Sequence, residues 1–425
     1  MNRADFILQL SGLCMIPEIT KGKQVQKITK PNDQMSEESF WEKVRSQFNV
    51  DNSYIDLRAH AASPIPSGTF EEFSQNYGHV QSFPSIRNHE VAEGNKELLR
   101  VKIAKELNCS FEEVALMRST TEALNNALMG FPFENGDEVL ASVHEYDSMM
   151  GSLYQRQKRD GIEVKRVEIP YQPTSKEQII ECFKKSATPK TKLILISHMV
   201  WISGQIYPIE EICQWARSKG IATVVDAAQS FSHLNIDVTK ISCDYLGASL
   251  HKWCAAPLGS GFLYIRKENI PATYPLFGHY HYNADAPRIE KFENFGSITP
   301  VFEACNFSLD FWEKIGYEAK RNRMQILKEY WINKLSAIPE IEIVTNIDAE
   351  HSCGIAYFSI ENQSATDIKN KLFDQYKIVV QSIENYKNSN VDYQSVNVIG
   401  IATPVFILPE HLDVFADGIK ELVST

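Results

Sequence analysis

Residues 224–252 read VVDAAQSFSHLNIDVTKISCDYLGASLHK and contain two short apolar runs, each followed by polar side chains. The first run ends at Asp226, and the second is followed by Ser249 and, three residues later, Lys252. In an open α/β sheet, ligands bind outside the carboxyl ends of the strands, so Asp226 and Lys252 are expected to face one crevice. An acid that keeps a ring nitrogen protonated and a lysine that forms a Schiff base are the groups that pyridoxal phosphate needs.

Three short motifs follow one another in this region, namely D-A-A-Q at 226–229, S-L-H-K at 249–252 and P-L-G-S-G at 257–261. Each motif alone would fit two buried strands with a structural acid and an exposed lysine, but the ordered set favours a cofactor site. The set resembles the class V aminotransferase family of pyridoxal-phosphate enzymes, which includes cysteine desulfurases, kynureninases and isopenicillin N epimerase-like proteins. The resemblance implies an α/β, fold-type I enzyme of the isopenicillin N epimerase-like branch.

The composition is that of an ordinary soluble globular protein. The chain has 425 residues, of which 43% are hydrophobic and 23% charged, so it can bury a large core. Its formal net charge of −11 argues against a nucleic-acid partner, which would require clustered excess Lys and Arg. The eight cysteines show no CxxC spacing, so neither a zinc site nor a disulfide framework is indicated.

The N-terminal segment resembles an eroded twin-arginine export signal. Arg3 is followed by Ala4 where such a signal has a second arginine, and the apolar run 6–16 is interrupted by Gln9 and Ser11. This run is too short to span a bilayer. We therefore expect a cytoplasmic protein without a membrane partner, although the resemblance leaves export open.

Strands and helices alternate over residues 114–296, which indicates a mostly parallel, doubly wound sheet. A helical stretch over 301–337 follows, and then mixed short strands and helices. We predict three parts: an N-terminal leader and arm (1–49), a cofactor-binding large domain (50–298) and a small C-terminal α+β domain (299–425).

Residues 118–125, Arg-Ser-Thr-Thr-Glu-Ala-Leu-Asn, mark the turn from a strand into a helix. Backbone N–H groups at a helix N-terminus, together with the hydroxyls of Thr120 and Thr121, can bind a phosphate group. The family has T-T-E-x-x-N here, so the resemblance implies that both threonines are phosphate ligands. Capping of the helix by Thr120, with Glu122 in its first turn, is the structural alternative and is compatible with phosphate binding.

The resemblance also implies which residues contact the cofactor ring. Tyr146 would stack on the pyridine face, where desulfurases carry His; alone, it would fit a half-buried core residue. Asp226 would accept a hydrogen bond from the ring nitrogen, and each charge would stabilise the ionised form of the other group. Trp201 falls where the family often has Asn near the cofactor hydroxyl, so Gln229 is the candidate for that oxygen. Trp201 is then either a wall of the substrate pocket or a core residue.

The remaining predicted site residues follow the second strand and the end of the large domain. Ser249 and His251 would add phosphate contacts, with a structural hydrogen bond as the alternative for His251. Lys252 would form the Schiff base and later move the proton at the substrate Cα. Ser297 matches a family hydroxyl that reaches the partner subunit's phosphate, which implies a homodimer with shared active sites. Capping of the following helix is the alternative for Ser297.

Two family features are missing. Desulfurases carry a nucleophilic cysteine in a loop ahead of the final strands, but residues 381–395 contain none, and Cys353 lies earlier in a strand-like run. Persulfide chemistry is therefore disfavoured.

The second missing feature is the arginine of the family's R-x-S, which grips the substrate carboxylate near the last strand. Gly400 stands in that position here. Glycine cannot replace a bidentate guanidinium–carboxylate pair. Either Arg58, Arg87 or Arg288 substitutes, or the substrate lacks an ordinary α-carboxylate at that place.

Together these observations predict a pyridoxal-phosphate enzyme acting on a small amino substrate. After Lys252 removes the Cα proton, the proton can return as in an epimerase or move to the cofactor as in an aminotransferase. Alternatively, a β group can leave, as in a C–S or β-lyase. The sequence does not choose among these three. The alternative function is a pyridoxal-phosphate-binding protein with lost or marginal turnover.

Overall fold

The computed structural model describes residues 37–279, 282–294, 299–388 and 391–424. Most of the predicted leader and arm, and Ser297, lie outside these residues. The helices, numbered along the chain, are α1 (Glu37–Arg45), α2 (Ser67–Ser82), α3 (Pro84–Leu107), α4 (Thr120–Gly130), α5 (Asp147–Asp160), α6 (Lys176–Ser186), α7 (Ile209–Ser218), α8 (Val238–Ile241), α9 (Thr299–Ile315), α10 (Tyr317–Leu335), α11 (Ala365–Tyr376) and α12 (Pro409–Ser424). In the described ranges, none of the helices has the length and apolarity that crossing a bilayer requires.

The strands form one large sheet and two smaller ones. They are β1 (Ile55–Asp56), β2 (Val114–Met117), β3 (Glu138–Ser142), β4 (Glu163–Val167), β5 (Thr191–Ser197), β6 (Ala222–Asp226), β7 (Tyr245–Ser249), β8 (Gly261–Ile265), β9 (Ile341–Ile343), β10 (Ile355–Ile360), β11 (Ile378–Val379), β12 (Gln381–Asn388) and β13 (Val391–Ala402). The large sheet has the order β2-β8-β7-β6-β5-β3-β4. Its neighbours are parallel except where β8 runs antiparallel to β2 and β7, which confirms the mostly parallel sheet.

Both faces of this sheet are covered, as in a doubly wound fold. Along β5, Leu193 and Leu195 pack into one hydrophobic core, whereas Ile194 and Ile196 pack into a second core on the other face. Successive strand residues point to opposite faces, so a strand buried on both sides must be continuously apolar. The run Leu-Ile-Leu-Ile satisfies that condition.

Helix α4 packs closely against β7 because Gly247 has no side chain. A Cβ atom at this position would lie 2.7 Å from Cδ2 of Leu124, closer than real Cβ contacts allow. The close approach brings the N-terminus of α4 beside Ser249, the last residue of β7. Two groups that are distant in sequence therefore meet at the carboxyl edge of the sheet.

The C-terminal part forms the predicted small α+β domain. The helical stretch predicted over 301–337 is two helices, because the chain turns at Gly316 with φ +95° between α9 and α10. Beyond α10 lies a four-stranded antiparallel sheet with the order β12-β13-β10-β9. In addition, β1 pairs in parallel with β11, which ties the residues around Ile55 to this part of the chain. The domain limits of 50–298 and 299–425 remain a prediction.

Gly400 lies in the middle of the small sheet, opposite Tyr357 on β10 and Gln381 on β12. The ring of Tyr357 occupies the space in which a side chain at position 400 would begin. A Cβ atom there would lie 2.5 Å from Cζ of Tyr357. The ring is held in place by its hydroxyl, which donates to the Trp201 carbonyl at 2.6 Å. An arginine at position 400 is therefore excluded by packing as well as by sequence.

We expect Gly400→Ala to lower the free energy of unfolding by roughly 1–3 kcal/mol, the usual cost of overpacking a core. Tyr357 cannot retreat without losing its hydrogen bond to Trp201. Urea unfolding measures the change. The matched control is Gly151→Ala in α5, where the added methyl group meets no atom within 4 Å. Equal effects of the two substitutions would contradict the packing assigned to Tyr357.

Candidate active site

A cavity of about 300 Å³ opens at the carboxyl ends of β5, β6 and β7. Such a volume is at the lower end of the range for small-molecule sites. The cavity brings together all the described residues for which the sequence predicted a catalytic or cofactor-binding role, namely Thr120, Thr121, Tyr146, Asp226, Gln229, Ser249, His251 and Lys252. Ser297, the remaining predicted site residue, lies outside the described residues.

Asp226, which is buried, and Lys252, which is half-buried, are two opposite charges that line this cavity. Burial raises the pKa of Asp226, whereas the Ala228 N–H and Lys252 lower it. Burial also lowers the pKa of Lys252, and Asp226 opposes that shift. Oδ1 of Asp226 accepts from the Ala228 N–H at 2.8 Å, and the described residues give Oδ2 no hydrogen-bond partner. The site can therefore accept a cationic ring nitrogen at Oδ2, beside a lysine amine that burial makes easier to deprotonate.

The N-terminus of α4 forms another wall of the cavity. Ser119, rather than Thr120, caps the helix by accepting from the Glu122 N–H at 3.2 Å. The Thr120 N–H donates to the Ser249 hydroxyl at 2.8 Å, and the two hydroxyl oxygens are also 2.8 Å apart. Thr121 is exposed in the first turn. Because the positive end of the helix dipole lies here, this wall suits an anionic group such as phosphate.

His251 makes the structural hydrogen bond that was the alternative to a phosphate contact. Its Nδ1 lies 3.2 Å from the Ser260 carbonyl oxygen, which can only accept, so Nδ1 carries the hydrogen. In the neutral ring Nε2 is then an acceptor and cannot donate to a phosphate. Burial and the nearby Lys252 both lower the pKa of His251. A direct phosphate bond from Nε2 therefore requires protonation of the ring, which a bound dianion would favour.

The amide of Gln229 has a fixed orientation. Trp253 donates its indole N–H to Oε1 of Gln229 at 2.8 Å, and an indole nitrogen can only donate. The amide nitrogen therefore points the other way, where it donates to the His60 carbonyl at 3.3 Å. One amide hydrogen remains for a ligand. The indole ring is itself packed against His233, with ring centroids 3.9 Å apart.

Tyr146 lies at the start of α5 and lines the cavity with 44% of its surface exposed. Its ring meets that of Trp201 edge to face, with centroids 5.7 Å apart. The preceding residue, Glu145, is buried and accepts from the Ser142 and Ser197 hydroxyls at 2.6 and 2.7 Å. Burial raises the pKa of Glu145 to about 7. These hydrogen bonds hold the loop that carries Tyr146 against the end of β5.

Several residues that line the cavity had no role in the sequence prediction. They are His60, Ala61, Ser119, Met149, Ser197, Met199, Ala228 and Gln381. His60 is 4% exposed, and burial, with nearby Lys252 and Arg58, lowers its pKa to about 3. The imidazole is therefore neutral at physiological pH. Its Nδ1 has no hydrogen-bond partner among the described residues.

Of the three arginines proposed to replace the family's carboxylate ligand, only Arg58 lines this cavity in the described part of the chain. Arg288 pairs with Glu290 at 3.1 Å, and Arg87 donates to the His79 carbonyl at 3.3 Å. The local sequence gave no reason to prefer Arg58. Its position depends on the pairing of β1 with β11, whose partners are far apart in sequence.

No cysteine lines the cavity within the described ranges. For the seven cysteines described there, burial raises the pKa of each thiol. A thiolate nucleophile requires the opposite shift. Within the described residues, the cavity therefore contains no group suited to accept sulfur.

Known proteins of related sequence include an epimerase and a probable cysteine desulfurase. The chain is 26% identical over 402 residues to an isopenicillin N epimerase from Streptomyces clavuligerus, covering 90% of this chain and 98% of the relative. It is 29% identical over 365 residues to a probable cysteine desulfurase from Synechocystis sp., covering 80% of this chain and 85% of the relative.

Among solved structures, a C-DES mutant with glycine covalently linked to its PLP cofactor has the same fold. The TM-score is 0.79 at 20% identity, covering 88% of this chain and 98% of that one. The family described as aminotransferase class-V matches residues 55–385. The predicted fold class and the resemblance to isopenicillin N epimerases are confirmed, and the chain belongs to the class V aminotransferase family.

Proposed function

We propose that this protein is a pyridoxal-phosphate-dependent enzyme that moves the proton on the amino-bearing carbon of a small amino substrate. One observation carries the proposal: Asp226 and Lys252 line one cavity, and the N-terminus of α4 forms another of its walls. A carboxylate, an amine and an anion site are the three groups that this cofactor requires. The match to the class V family supports the same cofactor.

Each residue of the cavity has a defined task in this proposal. Bound at this site, pyridoxal phosphate supplies an electron-accepting ring that stabilises negative charge on the substrate carbon. Asp226 holds the ring nitrogen in its charged form. Thr120 and Thr121, at the N-terminus of α4, bind the phosphate, and the free amide hydrogen of Gln229 binds the phenolic oxygen. Lys252 would supply the amine for the covalent bond to the cofactor and, once the substrate's amine has displaced it from that bond, would take and return the substrate proton.

Proton transfer at this carbon is common to epimerases, aminotransferases and β-lyases. The similarity to an isopenicillin N epimerase favours the first of these. The similarity to C-DES, which is described as a cystine C-S lyase in another of its solved structures, favours the third. Cysteine desulfuration is disfavoured, because the described cysteines lie outside the cavity and have raised pKa values. The deuterium-exchange experiment below distinguishes an active enzyme from the alternative, a cofactor-binding protein with lost turnover.

We expect borohydride reduction of the cofactor-loaded protein to attach the cofactor to Lys252, because its side chain lines the same cavity as Asp226 and burial lowers the pKa of its amine. Peptide mapping by mass spectrometry locates the label. Lys252→Ala should carry no label, whereas the control Lys184→Ala, on the exposed surface of α6, should be labelled like the wild type. A wild-type label on another lysine would contradict the site.

The same two variants test turnover. In D₂O the wild type should replace the Cα hydrogen of an accepted amino substrate by deuterium, which NMR detects, and Lys252→Ala should not. A panel of amino compounds is screened for exchange. Cofactor bound at Lys252 without exchange in any member would favour the binding protein with lost turnover.

Trp253→Phe should weaken cofactor binding by about 5- to 10-fold, the effect of losing one hydrogen bond of about 1 kcal/mol. The amide of Gln229 then no longer has a donor that fixes its orientation. Titration of the apoprotein with pyridoxal phosphate measures the change. The control is Trp215→Phe on α7, which does not line the cavity. Unchanged affinity in Trp253→Phe would remove Gln229 from the cofactor's contacts.

We also propose that the protein is a homodimer with shared active sites, as Ser297 suggests by resemblance. In support, large apolar side chains are exposed: Leu258 is 71% exposed, and Tyr274 and Phe277 are 60% and 49% exposed. Leu258 follows Lys252 by six residues. Exposed apolar groups of this size are typical of association surfaces.

Sedimentation velocity tests the shared site. The cofactor-loaded protein should sediment as a dimer, and Leu258→Asp should shift it towards monomer with loss of cofactor occupancy. A surface change of the same kind away from these residues, Val414→Asp on α12, should leave both unchanged. A monomer that keeps its cofactor at full occupancy would remove the shared site.

A further inference from the structure

The cavity contains a guanidinium that has no assigned partner. Among the described residues, the Arg58 side chain makes neither an ion pair nor a hydrogen bond, although it lines the cavity. Its own backbone N–H donates to the Asp56 carboxylate at 2.8 Å, and the guanidinium charge also lowers the pKa of that carboxyl, against the larger rise caused by burial. Arg58 and Lys252 are the cationic side chains among the lining residues described, since the pKa values of His60 and His251 are lowered.

The backbone that carries Arg58 is held rigidly beside the small sheet. The Ile55 N–H donates to the Lys377 carbonyl at 3.0 Å, and the Leu57 N–H donates to the Val379 carbonyl at 2.9 Å. On its other side, the Leu57 carbonyl accepts from the Ala402 N–H at 2.8 Å. The segment therefore lies between β11 and the end of β13. It ends one residue before Arg58, so little backbone freedom separates this guanidinium from the sheet.

This placement puts Arg58 close to Gly400, which has no side chain to offer to a ligand. Gly400 is two residues from Ala402 on β13, and its cross-strand neighbour Gln381 lines the same cavity. The charge of Arg58 also reaches Tyr357, the residue that covers Gly400: burial raises the pKa of Tyr357, and Arg58 opposes that rise. A positive charge is thus retained at this end of the cavity, although it comes from the opposite end of the sequence.

We propose that the Arg58 guanidinium binds a carboxylate of the substrate and selects amino acids over amines that lack the acid. A guanidinium presents parallel N–H donors that match the two oxygens of a carboxylate. The substrate class is then an amino acid whose acid group faces β1 and whose amino group faces Lys252. This inference rests on the proposed function, because it requires an amino substrate in the cavity.

The test uses the cofactor-loaded protein and two pairs of probes that differ only in the carboxylate, L-alanine with ethylamine and L-phenylalanine with 2-phenylethylamine. Dissociation constants come from titration of the absorption band of the bound cofactor. The wild type should prefer the acid in at least one pair. Arg58→Gln should weaken that acid by about 10- to 100-fold and leave its amine unchanged. Arg58→Lys keeps the positive charge but lacks the parallel N–H donors of the guanidinium, so its affinity for the acid should lie between those of the wild type and Arg58→Gln.

Arg288→Gln is the matched control, because Arg288 is exposed, pairs with Glu290 and does not line the cavity. It should leave all four constants unchanged. Cofactor occupancy and the melting temperature of Arg58→Gln should equal those of the wild type, since its side chain makes no hydrogen bond or ion pair among the described residues. Two results would overturn the inference. One is a wild type that binds the acid no more tightly than the amine in either pair. The other is an Arg58→Gln protein whose affinities for the acid and the amine fall by the same factor. Failure of the proposed function gives a different result, because borohydride reduction of the wild type would then attach no cofactor to Lys252.

Discussion

The site depends on two opposite charges, the buried Asp226 and the half-buried Lys252, at the carboxyl edge of a mostly parallel sheet. Taking a carboxylate or an ammonium group out of water is costly unless a partner compensates for the lost solvation. Asp226 and Lys252 compensate for each other, as the opposing shifts in their pKa values indicate. Neither can be removed without leaving the other charge uncompensated. The surrounding elements can therefore be understood as the frame that keeps these two side chains in one cavity.

Residues that directly follow strands were the part of the site that the sequence could predict. In a parallel sheet every strand ends at the same edge, so Asp226, Ser249 and Lys252 had to meet once the alternation of strands and helices was recognised. Thr120 and Tyr146 follow β2 and β3 in the same way. The strands themselves were recognisable because burial on both faces requires continuous apolar runs. Local pattern and global topology gave the same answer here.

Other features depend on contacts that a local pattern does not contain. Arg58 reaches the cavity through pairing of β1 with β11, and a two-residue strand has no recognisable periodicity. Helix α2 was not predicted, because Ser67–Ser82 contains two glycines and a weakly apolar face. The turn at Gly316 was missed because apolar residues continue on both sides of it. The orientation of Gln229 depends on Trp253, whose role could be assigned only from the position of its single donor.

The packing of Tyr357 over Gly400 limits how this protein can change during evolution. An arginine cannot be accommodated at position 400 by one substitution, since the aromatic ring of Tyr357 already fills that space. Removing the ring first would leave a cavity in the small sheet and the Trp201 carbonyl without its hydroxyl donor. We expect each single variant to be less stable than the starting protein, one through overpacking and the other through a cavity, so the effect of each substitution depends on the residue at the other position. A lineage with this pair of residues is thus held to its present arrangement by the core of the small domain, independently of selection on substrate.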